Sequence, residues 1–121
     1  MGLKARIELV LDCANPQQLA SFWSEALDYR ELFTDASLVV LVPKRGIASP
    51  LLLQGVPEPK PGKNRMHIDV IAHDIESEIA RLHALGATRI DTSVQTLGGT
   101  HWVRMADPED NEFCVSTGVE W

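Results

Sequence analysis

The chain has 121 residues, 45% of them apolar, and a formal net charge of −6. That length suits one compact domain with a sizeable core, and the acidic balance argues against nucleic acid or an anionic membrane surface as partner, because both recruit clustered cations. No apolar run reaches the about 18 residues a membrane-spanning helix needs, and the segment from Met1 to Ile7 lacks the apolar core of a signal peptide, so a cytoplasmic location is expected.

Ile7, Leu9, Leu11 and Cys13 alternate with Arg6, Glu8, Val10 and Asp12, as in a strand with one face on a core; Glu8 and Asp12 then share the other face. Asn15-Pro16 supplies a cap and a first-turn proline, with Gln18 at the capping-box position, so a helix should start there. Leu19, Phe22, Trp23, Ala26 and Leu27 form its apolar stripe and should cover the odd-numbered face of the strand. Three short strands are expected next, over Tyr29 to Phe33, Leu38 to Val42 and Leu51 to Gln54, with Pro43 to Pro50 as a turn.

The stretch from Val56 to Asn64 is a stiff connector, because Pro57, Pro59 and Pro61 lack amide donors and hold their predecessors extended. Met66 to Ala72 reads as a strand with His67 and Asp69 on one face. Asp74 is an N-cap, Ile75, Ile79, Leu82 and Leu85 make a buried stripe, and Gly86 ends the helix. Ala87 to Ile90, His101 to Met105 and Phe113 to Thr117 complete the second half, with turns at Gly98-Gly99 and at Asp107 to Asn111. Sliding one half along the other until Glu8 meets His67 also puts Asn15 on Asp74, so the chain reads as a twofold α+β repeat of a βαβββ unit: one domain over 1–121, with modules at about 5–55 and 65–118 joined by connector 56–64.

Two cysteines far apart, without metal-clip spacing, fit reduced thiols better than a disulfide. The strand phases turn Cys13 toward the helix layer and Cys114 the other way, so the two should not be bridged. Trp23 belongs to the core, and Trp121 is placed to cover a sheet edge or a dimer seam. His73 and His83 should be solvated, and Lys60, Lys63 and Arg65 form a basic cluster in the connector that is either solvated or attractive to an anionic ligand.

A helix ending Phe-Trp-Ser-Glu-Ala-Leu, then His-Ile-Asp-Val, a second helix ending His-Ala-Leu-Gly-Ala, and Asp-Pro-Glu-Asp-Asn-Glu-Phe-Cys-Val follow one another in an order that resembles the glyoxalase/bleomycin-resistance/dioxygenase group, the vicinal oxygen chelate superfamily. With the connector Val-Pro-Glu-Pro-Lys-Pro-Gly-Lys-Asn-Arg-Met-His, the chain is most similar to the glyoxalase-like domain subgroup. The resemblance implies two βαβββ modules whose sheets curl around a shared cleft with helices outside, and a homodimer. It also implies metal ligands on the first and last strands of the modules. Carried over, these fall on Glu8 and His67, with Gln54 a loose match. The closing-strand glutamate position holds Cys114 instead, while Glu112 has the same facing and stands as the alternative ligand.

A divalent cation (zinc, nickel, iron or manganese) held by Glu8, His67 and Glu112 could act as a Lewis acid on adjacent substrate oxygens, and the cleft would be lined by Asp12, Asp69, His101, Trp102, Glu112 and Cys114. Glu8 and His67 could equally serve as an acid/base pair without metal. Each also has a plain structural reading: His67 as a histidine hydrogen-bonded to Asp69, Glu8 as a strand residue paired with a nearby arginine, Trp102 as packing, Cys114 as a small buried hydrophobe. Two functions are open at this point. One is a metal-dependent lyase, isomerase or dioxygenase; the other is a non-catalytic module that sequesters an antibiotic-type small molecule on acidic and aromatic side chains.

Overall fold

In the computed structural model, which describes residues 6–119, the chain forms two compact units, one ending at Pro59 and the other starting at Lys60. The division falls inside the proline-rich connector. Trp121 lies outside the described residues.

The first unit runs β1 (Leu9–Cys13), α1 (Pro16–Leu27), β2 (Tyr29–Thr34), β3 (Leu38–Pro43) and β4 (Leu51–Gly55), in the sheet order β1-β4-β3-β2. Asn15 caps α1 as expected, its side chain accepting from the Gln18 amide, and Asp28 ends the helix in the left-handed region. The apolar stripe of α1 is buried through Leu19, Ala20, Phe22, Trp23 and Ala26, and Phe22 and Trp23 meet edge to face at 5.0 Å. Against this face the sheet presents Leu51, Leu53, Val39 and Leu41, all fully buried. β1 and β4 are parallel and the other pairs antiparallel, with a bulge in β2 between Glu31 and Phe33.

The second unit repeats the plan: β5 (Asp69–Ile71), α2 (Ile75–Ala84), β6 (Thr88–Arg89), β7 (Gln95–Leu97), β8 (Thr100–Ala106) and β9 (Glu112–Ser116), ordered β5-β9-β8-β6 with β7 pairing β8. Asp74 caps α2 by accepting from the Ser77 amide, and Gly86 follows the helix with φ +118, where a Cβ would be strained. Val103, Met105, Phe113 and Val115 form the buried face behind α2. The architecture is therefore α+β, two curled mixed sheets each with a helix on one face, as expected from the repeat.

Three local differences have physical causes. The strand expected from Met66 begins only at Asp69, and upstream of it the Asn64 amide donates to the Glu112 carboxylate. The strand expected over Ala87 to Ile90 is cut to two residues, since the Ile90 and Asp91 amides both donate to the Arg104 carbonyl and break the register. β7 lacked any apolar alternation to announce it. Its pairing follows from the Gly98-Gly99 turn, whose two positive φ angles of 58° and 82° suit a two-residue hairpin.

Candidate functional site

Residues directly opposite one another across a sheet share a face. In the second unit this rule lines up Asp69, Cys114 and Arg104 across β5, β9 and β8, on the face turned away from α2. The Cys114 amide donates to the Ile68 carbonyl at 2.9 Å, so the alternation extends backward and brings His67 to the same face as Asp69. His67 Nε2 stands 3.2 Å from Asp69 Oδ1, with both side chains near half exposure at 43% and 46%. Together His67, Asp69 and Cys114 offer one nitrogen, one oxygen and one sulfur, all within 4.8 Å of one another.

Burial pushes the Cys114 thiol up to about 11, and the charges of Asp69 and Asp91 add to this against Arg104 and Lys63. Alone, Cys114 is a poor nucleophile. Arg104, its neighbour on β8, is fixed by Asp91, whose carboxylate accepts from the Arg104 amide at 2.9 Å and from its Nε and Nη2 at 3.1 and 2.9 Å. That hydrogen bonding holds the Asp91 carboxyl below its ordinary value. Arg104 Nη1 has no partner among the described residues and remains a donor. Trp102, half-buried, follows on this face between Gln95 and Ser116.

The other residues named from the sequence lie as follows. Glu112 is on the same face as Cys114, but its carboxylate receives Lys60 Nζ at 3.0 Å and the Asn64 amide at 3.2 Å and is not part of the three-donor cluster. Burial raises its pKa, and the hydrogen bonds from Lys60 and Asn64 more than offset this, leaving it below the ordinary glutamate value. His101 alternates with Trp102 and so points to the opposite face, exposed, its Nδ1 2.8 Å from Thr96 Oγ1. His73 is exposed; His83, also exposed, bonds the Ala87 carbonyl at 3.0 Å. In the first unit, Asp12 and Glu8 are exposed, Asp12 opposite Gln54, and Glu8 shares an open recess with Arg6, Ile47 and Ser49. Cys13 is buried with Sγ 3.6 Å from the Gln54 carbonyl, and neither cysteine forms a disulfide.

The sequence alone puts Asp69 in the lining and not among the ligands, and singles out neither Arg104 nor Asp91. Alternation from Trp102 alone would have put Arg104 on the site face. Nothing in the sequence signalled Asn64, which acts through its backbone amide.

A family model described as a glyoxalase-like domain matches residues 8–116. The chain has no significant sequence match among curated proteins. Solved structures share its fold along nearly the whole length. A glyoxalase/bleomycin resistance protein/dioxygenase family enzyme from Burkholderia phytofirmans PsJN is 15% identical, with a TM-score of 0.73, over 90% of this chain and 94% of that one. The fosfomycin resistance protein FosX from Mesorhizobium loti is 12% identical, with a TM-score of 0.73, over 98% and 95%. FosX from Listeria monocytogenes, solved with Mn(II) and sulfate, is 11% identical, with a TM-score of 0.76, over 98% and 93%. These likenesses define the class of fold. The chain belongs to the glyoxalase-like domain family.

Proposed function

We propose that the second unit binds one divalent cation through His67, Asp69 and Cys114 and presents it to a small oxygen-rich molecule, as a metal-dependent enzyme of the lyase, isomerase or dioxygenase kind. The observation that carries this reading is the three-donor cluster within 4.8 Å. Three donors around one ion, with the rest of its coordination sphere open, are the arrangement of a catalytic rather than a structural site. The donor chemistry fits a metal: imidazole and carboxylate suit several divalent ions, and thiolate shifts the preference toward zinc and away from manganese. When bound, the cation would supply Lewis acidity to substrate oxygens. The chain's own residues orient the ligand: Arg104, immobilised by Asp91, donates from Nη1 to a carbonyl or anionic oxygen, and Trp102 offers an aromatic surface.

The likeness to the FosX fosfomycin resistance proteins favours testing fosfomycin first, then hemithioacetals and catechols. Metal analysis of freshly purified protein, with His67→Ala, Asp69→Ala and Cys114→Ala, is the direct experiment. Stoichiometric metal that is lost in these variants supports the reading, and metal retained in all three sinks it. Glu8→Ala in the same series tests the ligand role the family resemblance assigns to Glu8. A protein that stays metal-free and turns over none of these compounds, yet shows tryptophan quenching on adding a drug-like cation, would instead be a sequestering module, the reading favoured by the exposed acids on the sheet faces. A homodimer belongs to the same proposal and is read by sedimentation equilibrium.

A further inference from the structure

His67 belongs to a stretch that nothing apolar holds down. Arg65, Met66 and His67 are all exposed, Met66 at 70%, and regular pairing begins only beyond them. Their position is set from the two ends. On one side the Ile68 carbonyl accepts from the Cys114 amide at 2.9 Å. On the other, the start of β9 grips the connector through Glu112. Lys60 Nζ donates to one carboxylate oxygen at 3.0 Å, the Asn64 amide donates to the other at 3.2 Å, and Asn64 Nδ2 reaches the Glu112 carbonyl at 3.5 Å. Both oxygens of Glu112 are thereby engaged by the segment that leads into His67.

We infer that Glu112 is a positioning residue whose carboxylate straps Lys60 and Asn64 to β9 and so fixes His67 beside Asp69 and Cys114. The inference rests on the metal-site reading for its functional consequence, but the strap itself does not. A span of three residues pinned at both ends samples few conformations; released at Asn64, it becomes the end of a longer free connector, and holding the imidazole in place then costs conformational entropy. The Lys60–Glu112 pair suits this task. Its side chains are only 26% and 16% exposed, so solvent and salt screen it less than an ordinary surface pair, and its hydrogen bonds are charge-assisted. β9 therefore holds the site twice, presenting Cys114 directly and orienting His67 through the residue two positions earlier.

The test uses the full chain. Zn(II) affinity is measured by competition with a chromophoric chelator, and the backbone order of residues 65–67 is followed by 15N relaxation. Under the strap, Glu112→Ala and Lys60→Met each weaken zinc binding about tenfold, as loss of residues that orient ligands does. Their double variant is no weaker than Glu112→Ala alone, because Lys60 acts on the site only through that carboxylate. Glu112→Gln, which keeps an acceptor oxygen, recovers part of the loss. Order parameters at 65–67 fall in the Ala and Met variants while those of β9 stay high. Zinc binding abolished by Glu112→Ala but unchanged by Lys60→Met would overturn the inference and make Glu112 itself a ligand. Unchanged order parameters at 65–67 would overturn it whatever the metal does. A wild-type protein that binds no zinc, but whose order parameters at 65–67 still fall on Glu112→Ala, would leave the strap standing and refute the metal reading instead.

Discussion

The two sheets have one plan and opposite chemistry. Each places its first strand beside its last and runs back outward through the middle strands, β1-β4-β3-β2 in one and β5-β9-β8-β6 in the other. Superimposing these orders matches the row Val10, Leu52 and Val40 with the row Asp69, Cys114 and Arg104, strand for strand. The helix-facing rows stay apolar in both: Leu51, Leu53, Val39 and Leu41 correspond to Phe113, Val115, Val103 and Met105. Covering by a helix dictates one face of each sheet, since a polar group there would be buried without a partner. The ladder itself makes no demand on the other face. That row is where the halves differ, apolar in one and furnished with donors in the other.

Making the second sheet copy the first is therefore the largest perturbation. Asp69→Val combined with Cys114→Leu gives two of the three positions in its row the residues of the counterpart row. We expect metal affinity to fall about 100-fold or more, since two donors are lost, with far-ultraviolet circular dichroism unchanged because the helix-facing row is intact. Equilibrium dialysis with metal analysis reads the result; undiminished affinity would remove the meaning assigned to the difference between the rows.

The turns before the last strands differ as well. In the second unit Asp107, only 3% exposed, accepts from the amides of Glu109 and Asn111 and from the Asn111 side chain, and Asp110 sits at φ +67 to let the chain fold over it. Asp107→Ala leaves buried donors unpaired and should cost about 2 kcal/mol, measured by urea denaturation. Rescue is expected from Asp107→Asn, which keeps one acceptor oxygen.

The fold was legible because its signals are local. Asn15-Pro16 and Asp74 announced the helix starts, Gly86 an end, and alternation gave the buried face of each main strand. The site was legible only in part. His67, Asp69 and Cys114 could be placed on one face by counting in twos, but their mutual approach depends on β5 pairing β9, which a sequence does not print. Glu112 shared that facing and had the chemistry of a ligand. Its engagement by Lys60 and Asn64 arises from a connector path that three prolines make stiff but do not direct. β7 and the break at Asp91 were hidden for a related reason: an exposed polar strand has no periodicity to read.

A smaller effect separates the third strands of the two sheets. Val40 faces Phe33 across the β2 bulge, whereas Arg104 is held by Asp91 beside the break between β6 and β7. The Asp91 side chain is 10% exposed, so Asp91→Asn should destabilise the protein by about 1 kcal/mol. The sign of the pH dependence follows from the lowered carboxyl. Its stabilisation is fully present above the ordinary value of 3.8 and disappears as pH falls through the lower native value. The gap in melting temperature between wild type and Asp91→Asn should hold from neutral pH to about 5 and close below about 4. A gap that widens on acidification would show that the pair does not stabilise the sheet.

The smallest expected effect is at the counterpart of the Asp107 turn. Between β3 and β4 the chain passes through Ile47, which is fully exposed, and the residues around it have no buried acceptor comparable to Asp107. An apolar side chain in full contact with water contributes nothing to the core, so Ile47→Ser should change stability by no more than about 0.5 kcal/mol. The same denaturation experiment that reads Asp107→Ala reads this one. If Ile47→Ser proved as costly as Asp107→Ala, Ile47 would have to be covered in solution, and the contrast between a turn built on a buried carboxylate in one unit and a turn without one in the other would be lost. Equal stability with better solubility would instead mark Ile47 as an exposed apolar group that only intermolecular contact could use.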